Sequence, residues 1–172
     1  MANNLAPLSL TLTTNRLALN PLSTNDAAFI FELVNSPGWI QFIGDRNVKN
    51  QDDSIAYIQR ILANSNIQYW VASLQEGQNS IGIITFIKRD YLECHDLGFA
   101  FLPRFGQKGY AYEASKAVLE ALENARIHSR ILATTLKNNI SSIGLLEKLG
   151  FRFERIIEDD KEDLLVYGID LG

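Results

Sequence analysis

The sequence predicts a mixed α/β fold: one domain on a central, mostly antiparallel twisted sheet, with helices on its flanks. Three observations carry this. Apolar residues recur at three- and four-residue spacing in several separate stretches, as in helices with one buried face. Runs rich in β-branched and aromatic residues stand between them, two of them joined across a turn at Glu76-Gly77-Gln78-Asn79. A helical stretch separates Leu97–Leu102 from Ile131–Leu136, so these two strands are expected to run parallel through a crossover.

Taken in order, Met1 to Leu8 reads as a loose lead-in, and Arg16-Leu17-Ala18-Leu19 alternates as a first strand that Pro21 ends. Ser23 or Thr24 caps a helix whose Ala27, Ile30, Phe31 and Val34 face inward, and Asn35-Ser36-Pro37-Gly38 stops it. Trp39 to Asn50 reads as irregular yet carries Trp39, Ile40, Phe42 and Ile43, so it covers something apolar: a lid on the core or a wall of a channel. Gln51-Asp52-Asp53-Ser54 opens a second helix with Ile55, Ile58, Ile61 and Leu62 on its buried side. Gln68–Leu74 and Ser80–Lys88 form a hairpin, and Tyr91 to Leu102 supplies the next strand. After the long helix and Ile131–Leu136, Asn138 or Asn139 caps a helix from Ser141 to Leu149, which Gly150 ends in the left-handed conformation. Phe151–Ile157 and Leu164–Ile169 close the chain as a hairpin.

Composition removes several functions. The 172 residues suit a single domain over 1–172, with 47% hydrophobic and 21% charged residues. Sixteen basic against twenty acidic residues give a net charge of −4, which argues against nucleic acid as a partner. Cys94 is the only cysteine and His95 and His128 the only histidines, so neither a disulfide framework nor a metal site is expected. No apolar run approaches a membrane span and the N-terminus lacks a signal pattern, so a cytoplasmic protein is expected, with no membrane partner. Composition does not fix the oligomeric state, and a homodimer stays open.

The most informative stretch is the strand Leu97–Leu102, the loop Pro103-Arg104-Phe105-Gly106-Gln107-Lys108-Gly109-Tyr110-Ala111, and the helix after it. Strand, glycine loop and helix in that order gather free backbone N–H groups at a helix N-terminus, where an anion is favoured, and Lys108 adds a cation. That is a seat for phosphate, most naturally a pyrophosphate. The competing reading is a turn that merely starts a helix. The loop fits neither a nucleoside-triphosphate loop, since Tyr110 and Ala111 follow Gly109, nor a dinucleotide fold, since the repeated unit is missing.

Asn139-Ile140-Ser141-Ser142 through Leu149-Gly150-Phe151 is the second informative stretch. Together with Gly106–Ala114 it resembles the GNAT-superfamily N-acetyltransferases, most closely their ribosomal-protein N-acetyltransferase (RimJ/RimL) branch. The opening Thr13-Thr14-Asn15-Arg16-Leu17-Ala18-Leu19 with Asp26 and the strand Asp96-Leu97-Gly98-Phe99 are similar to the same branch, so the likeness covers nearly the whole chain. It implies acetyl transfer from acetyl-coenzyme A to a primary amine, a protein N-terminus or a small molecule, with no metal. It further implies that the parallel pair splays apart and that the pantetheine arm lies in the gap. Phe101, Leu102, Gly106, Gln107, Lys108, Gly109, Tyr110, Ala111, Asn139 and Ser142 are then the expected cofactor-binding residues. One departure stands out: glycine occupies 106 and glutamine 107, whereas the family often has its glycine at the later place.

Direct transfer needs a neutral amine, a stabilised oxyanion and a proton for the departing thiolate. By resemblance Ser142 lies near the thioester sulfur and donates that proton; the alternative is that it completes a helix cap with Asn139. Asp96 and Glu93 are the candidate bases, directly or through water, with a plain surface carboxylate as the alternative for each. A non-catalytic acyl-coenzyme A sensor with the same cofactor seat is the competing function.

Overall fold

The computed structural model describes residues 10–172, so the lead-in expected over residues 1–8 lies outside them. Strands β1 (Leu12–Thr13) and β2 (Leu17–Pro21) precede three helices, α1 (Ala27–Val34), α2 (Pro37–Phe42) and α3 (Gln51–Leu62). Strands β3 (Ile67–Leu74), β4 (Ser80–Ile87) and β5 (Asp96–Phe101) follow, then α4 (Tyr110–Ala125) and β6 (Arg130–Leu136). The chain ends with α5 (Ile140–Leu149), β7 (Arg152–Ile157) and β8 (Leu164–Asp170). One sheet runs β1-β2-β3-β4-β5-β6-β8-β7, antiparallel throughout except at β5–β6, as the sequence predicts.

Strand alternation sorts the core into two layers. Trp70, Ala72, Ile84, Phe86 and Leu97 face α4 and α5, where Ala114, Val118, Leu122 and Leu146 meet them. Tyr69, Val71 and Ile83 face the other way, against Ile30, Leu33, Trp39 and Ile58 of α1–α3. The fork between β5 and β6 therefore opens onto both layers.

Four local expectations need correction. Phe31 and Leu62 are exposed, and Leu33 and Tyr57 take the buried places, because the packed faces of α1 and α3 are rotated from the expected ones. Residues 37–42 are helical: Pro37 suits the first position of a helix, so it both ends α1 and starts α2. β5 begins at Asp96 and not at Tyr91. The Lys88 ammonium donates to the carbonyls of Arg89 and Leu92 and closes a turn there, which removes those residues from the sheet.

His95 precedes β5 and lies on the face opposite Asp96, stacked on Phe86 with ring centres 4.6 Å apart and edge-on to His128. Burial, and then the nearby His128 and Lys88, lowers its pKa to about 4. A histidine held neutral in the fold stabilises it fully above its unfolded pKa near 6.5 and loses that contribution as pH falls toward 4. Unfolding midpoints followed by circular dichroism should therefore be flat from pH 8 to 7 and fall between 6.5 and 4. His95→Phe should shallow that fall, and an unchanged acid limb would show that His95 does not cause it.

Candidate active site

β5 and β6 share a single register pair, Asp96 with Leu132, and beside it the Leu132 N–H donates to the His95 carbonyl at 2.9 Å. One step further along β6 the Thr134 N–H donates not to a neighbouring strand but to Asp96 Oδ1 at 3.1 Å. The carboxylate acts as a wedge, and beyond it the strands part. Arg89 holds the other carboxylate oxygen. Asp96 is 3% exposed. Burial pushes its carboxyl above the usual range, offset only in part by Arg89 and the Thr134 N–H.

The fork opens into a cleft of about 1210 Å³, bounded by β5, β6, the loop before α4 and the start of α5 on one side, and by α2, α3 and β3 on the other. At the α4 end, the backbone N–H groups from Gln107 to Ala111 have no acceptor among the described residues; the first bond of the helix runs from Glu113 to the Gly109 carbonyl at 3.0 Å. Open strand edges beside a helix N-terminus present amide partners and an anion seat in one continuous groove.

Two residues set the loop's shape with positive φ. Gly109 at +81° is the N-cap of α4, and a side chain there would meet the Arg16 guanidinium at 3.3 Å. Gln107 at +57° holds the left-handed conformation at the place where the family often has glycine. Gly106, at φ −68°, does not need its freedom. Of these two adjacent residues it is the glutamine, not the glycine, that carries the positive φ.

Arg16 braces this loop, a role that sequence reasoning missed. Its guanidinium donates to Glu113 Oε2 at 2.7 Å and to the Lys108 carbonyl at 3.0 Å, and lies 4.3 Å from the Tyr110 ring centre. Glu113 also accepts from the Thr14 hydroxyl at 2.6 Å and the Arg16 N–H at 2.9 Å. Burial raises the Glu113 carboxyl, but these donors outweigh it and hold the pKa below the ordinary value.

Of the residues singled out from sequence, Asp96, Phe101, Gly106, Gln107, Gly109, Tyr110, Ala111, Asn139 and Ser142 all line the cleft. Three lie elsewhere. Leu102 packs into the α1–α3 layer, 1% exposed, with its N–H bonded to Ile81. Lys108 is exposed, its ammonium 6.0 Å from the Phe105 ring centre. Glu93 sits at the surface, paired with Arg155 at 2.7 Å, which helps to lower its pKa after a backbone bond of its own. Lys148 does line the cleft, over the Tyr112 ring, although its place in the last turn of α5 suggests only a solvated cation.

Asn139 caps α5 alone: its side chain accepts from the Ser142 backbone N–H at 3.2 Å. The Ser142 hydroxyl makes no bond to the described protein, so the cap uses this residue's backbone and leaves its side chain to the cleft.

Comparison with known proteins fits this geometry. The acetyltransferase (GNAT) domain model matches residues 16–152, and the chain belongs to that family. It is an acyl-coenzyme A-dependent acetyltransferase. It is 28% identical over 144 residues to YnaD, an uncharacterized N-acetyltransferase of Bacillus subtilis, with 83% of each chain covered. To YoaA, another such protein of that organism, it is 26% identical over 152 residues, 85% of each. Among solved structures, a GNAT-family acetyltransferase from Bacillus anthracis superposes with TM-score 0.79 at 23% identity, covering 94% of this chain and 98% of that one. RimL, described as a ribosomal alpha-N-protein acetyltransferase in complex with coenzyme A, gives 0.83 at 13% identity, with the same coverage.

Two substitutions test the geometry. Asp96→Asn should destabilise the fold by about 1–3 kcal/mol in denaturant titrations, since it leaves the Arg89 charge unpaired in a site one-third open to water. Unchanged stability would mean that the wedge is not held by charge. Gln107→Gly removes an unfavourable left-handed conformation, typically about 1 kcal/mol, and should leave acetyl-coenzyme A affinity equal or higher by calorimetry. A clear loss of affinity would show that the Gln107 side chain itself touches the cofactor.

Proposed function

We propose that this enzyme moves the acetyl group of acetyl-coenzyme A to a primary amine by direct attack in a ternary complex, in the cytoplasm. The observation that carries the reading is the fork held open by Asp96, which leads without interruption to the unpaired N–H groups of Gln107 to Ala111. The fit to coenzyme A is chemical: strand edges suit the amides of a pantetheine arm, and a helix N-terminus suits its pyrophosphate. Lys148 adds a cation to the same groove. The membrane plays no part in this reading; among the described residues no helix is long and apolar enough to cross one.

In the transfer step the amine nitrogen forms a bond to the thioester carbonyl carbon, the C–S bond breaks and the thiolate takes a proton. Ser142 is the residue we assign to that proton, because it lines the cleft and its hydroxyl has no protein partner among the described residues. Asp96 is a poor base, since both of its oxygens are engaged. The amine's proton leaves to water and water returns a proton to the Ser142 oxygen, so an acceptor that is partly neutral at working pH needs no further base. The α-amino group of a peptide, with a pKa of about 7.7–8.0, meets that condition better than a lysine at about 10.4.

The test is thiol release from acetyl-coenzyme A in the presence of amines, with Ser142→Ala beside the parent enzyme. Loss of the Ser142 proton donor should lower kcat by about 10²–10⁴ with cofactor affinity retained. Stability should hardly change, whereas Asn139→Ala should cost about 1 kcal/mol through loss of the cap. Normal turnover in Ser142→Ala would remove the assignment. Cofactor binding without thiol release for any amine would favour the sensor.

A further inference from the structure

The half of the cleft between α2, α3 and β3 is where an acceptor would enter, and its chemistry is selective. Its walls are aromatic and aliphatic: Trp39, Phe42, Ile43, Tyr57 and Tyr69. Burial keeps the Tyr69 phenol far above its ordinary pKa, so it stays neutral. Asp96 is the only carboxylate lining the whole cleft among the described residues, and it is taken by Arg89 and Thr134.

The neighbouring cation is not taken. Arg46 lies on the segment between α2 and α3, lines the cleft and forms no ion pair among the described residues. Its guanidinium carbon stands 5.9 Å from the centre of the Trp39 ring, whose buried indole N–H also has no protein acceptor. The nearest acidic side chain in sequence, Asp45, is turned to its own loop, accepting from the Asn47 N–H at 2.7 Å. Donors and one unpaired positive charge thus border an apolar pocket without a free anion.

A polycation needs several carboxylates to replace its hydration, and this half of the cleft supplies none. We propose that the acceptor is an α-amine whose body carries an anionic group a few bonds from the nitrogen, with Arg46 binding the anion and the aromatic walls holding the body. This rests on the acetyl-transfer reading of the same cleft. The β7–β8 loop has the opposite character, with Glu158, Asp159, Asp160, Glu162 and Asp163, but none of these lines the cleft.

Two arms give the anion from different sources: free aspartate and glutamate, and short peptides with a free N-terminus and an acidic first or second residue. Spermidine, an aminoglycoside and peptides with lysine at the same places are the comparators. Anionic acceptors should exceed the polycations by about tenfold or more in kcat/KM, and Arg46→Gln should raise KM for them about tenfold with a smaller effect on kcat. Arg46→Glu should reverse the order of preference. Preference for free amino acids or for peptides identifies the source. Equal or better use of polycations, or an Arg46→Gln enzyme with unaltered KM, overturns the proposal and moves recognition to the acidic loop.

Binding keeps this separable from the reading beneath it. With coenzyme A present, thermal shift by the anionic amines, lost in Arg46→Gln, upholds the anion site even if no thiol is released. In that case the transfer reading alone fails. Neither binding nor turnover with any anionic amine overturns the proposal.

Discussion

The contact on which the site depends is the buried carboxylate of Asp96 between Arg89 and the Thr134 N–H. Two parallel strands left to themselves continue their ladder, because an unpaired backbone group away from water is costly. At Thr134 the ladder is interrupted by giving its N–H a side-chain acceptor in place of a strand carbonyl. The expense of burying that acceptor's charge is offset by Arg89, itself two-thirds buried. A geometric requirement, that one strand pair must part, is thus met by an ion pair and one hydrogen bond. The groove that results is bounded by strand edges whose remaining polar groups are free to bind something else.

The opposite end of the groove relies on a second network. The N–H groups before α4 have to stay unpaired and still point one way, which a loop with glycines does not guarantee by itself. Arg16 and Glu113 supply the constraint from outside the loop, tying the β1–β2 turn, the Lys108 carbonyl and the first turn of α4 together. The exposed Lys108 ammonium is not needed for that, and the positive φ at Gln107 is tolerated because its neighbours are held on both sides. The anion seat is therefore a property of long-range contacts as much as of the loop's own sequence.

This explains which parts were legible beforehand. Helices α4 and α5, the parallel pair and the glycine loop follow from local periodicity and turn chemistry, and the structure places them as expected. Asn139 as cap and Gly150 as stop are local too, and both hold. Arg16 was opaque because its partners lie 92 and 97 residues away. Asp96 could be marked as a carboxylate on the central strand and a candidate base, but its role depends on Arg89 across a turn that the alternation of residues 91–95 conceals. Helix α2 was missed because Pro37 was read only as a stop, though the same residue is well suited to begin a helix. From sequence, Ser142 either donates a proton or completes the cap with Asn139. Only the direction of the bond, from the serine's backbone to the asparagine's side chain, shows that the cap does not use the serine hydroxyl.

The two networks together leave the cleft with an unusual balance of groups. The one carboxylate lining it among the described residues, Asp96, has both oxygens engaged in holding the fork. On the acetyl-transfer reading, selection for chemistry then falls on the acceptor: an amine that is strongly basic stays protonated at neutral pH, and nothing free in the lining removes that proton. An amine of lower pKa enters already partly neutral, and a cation such as Arg46 nearby lowers it further, since like charge disfavours an ammonium. The same arginine that would bind an anionic body would thus also favour the reactive form of the nitrogen beside it. Binding and activation of the acceptor become one electrostatic effect, set by the sign of the charge left unpaired in the pocket.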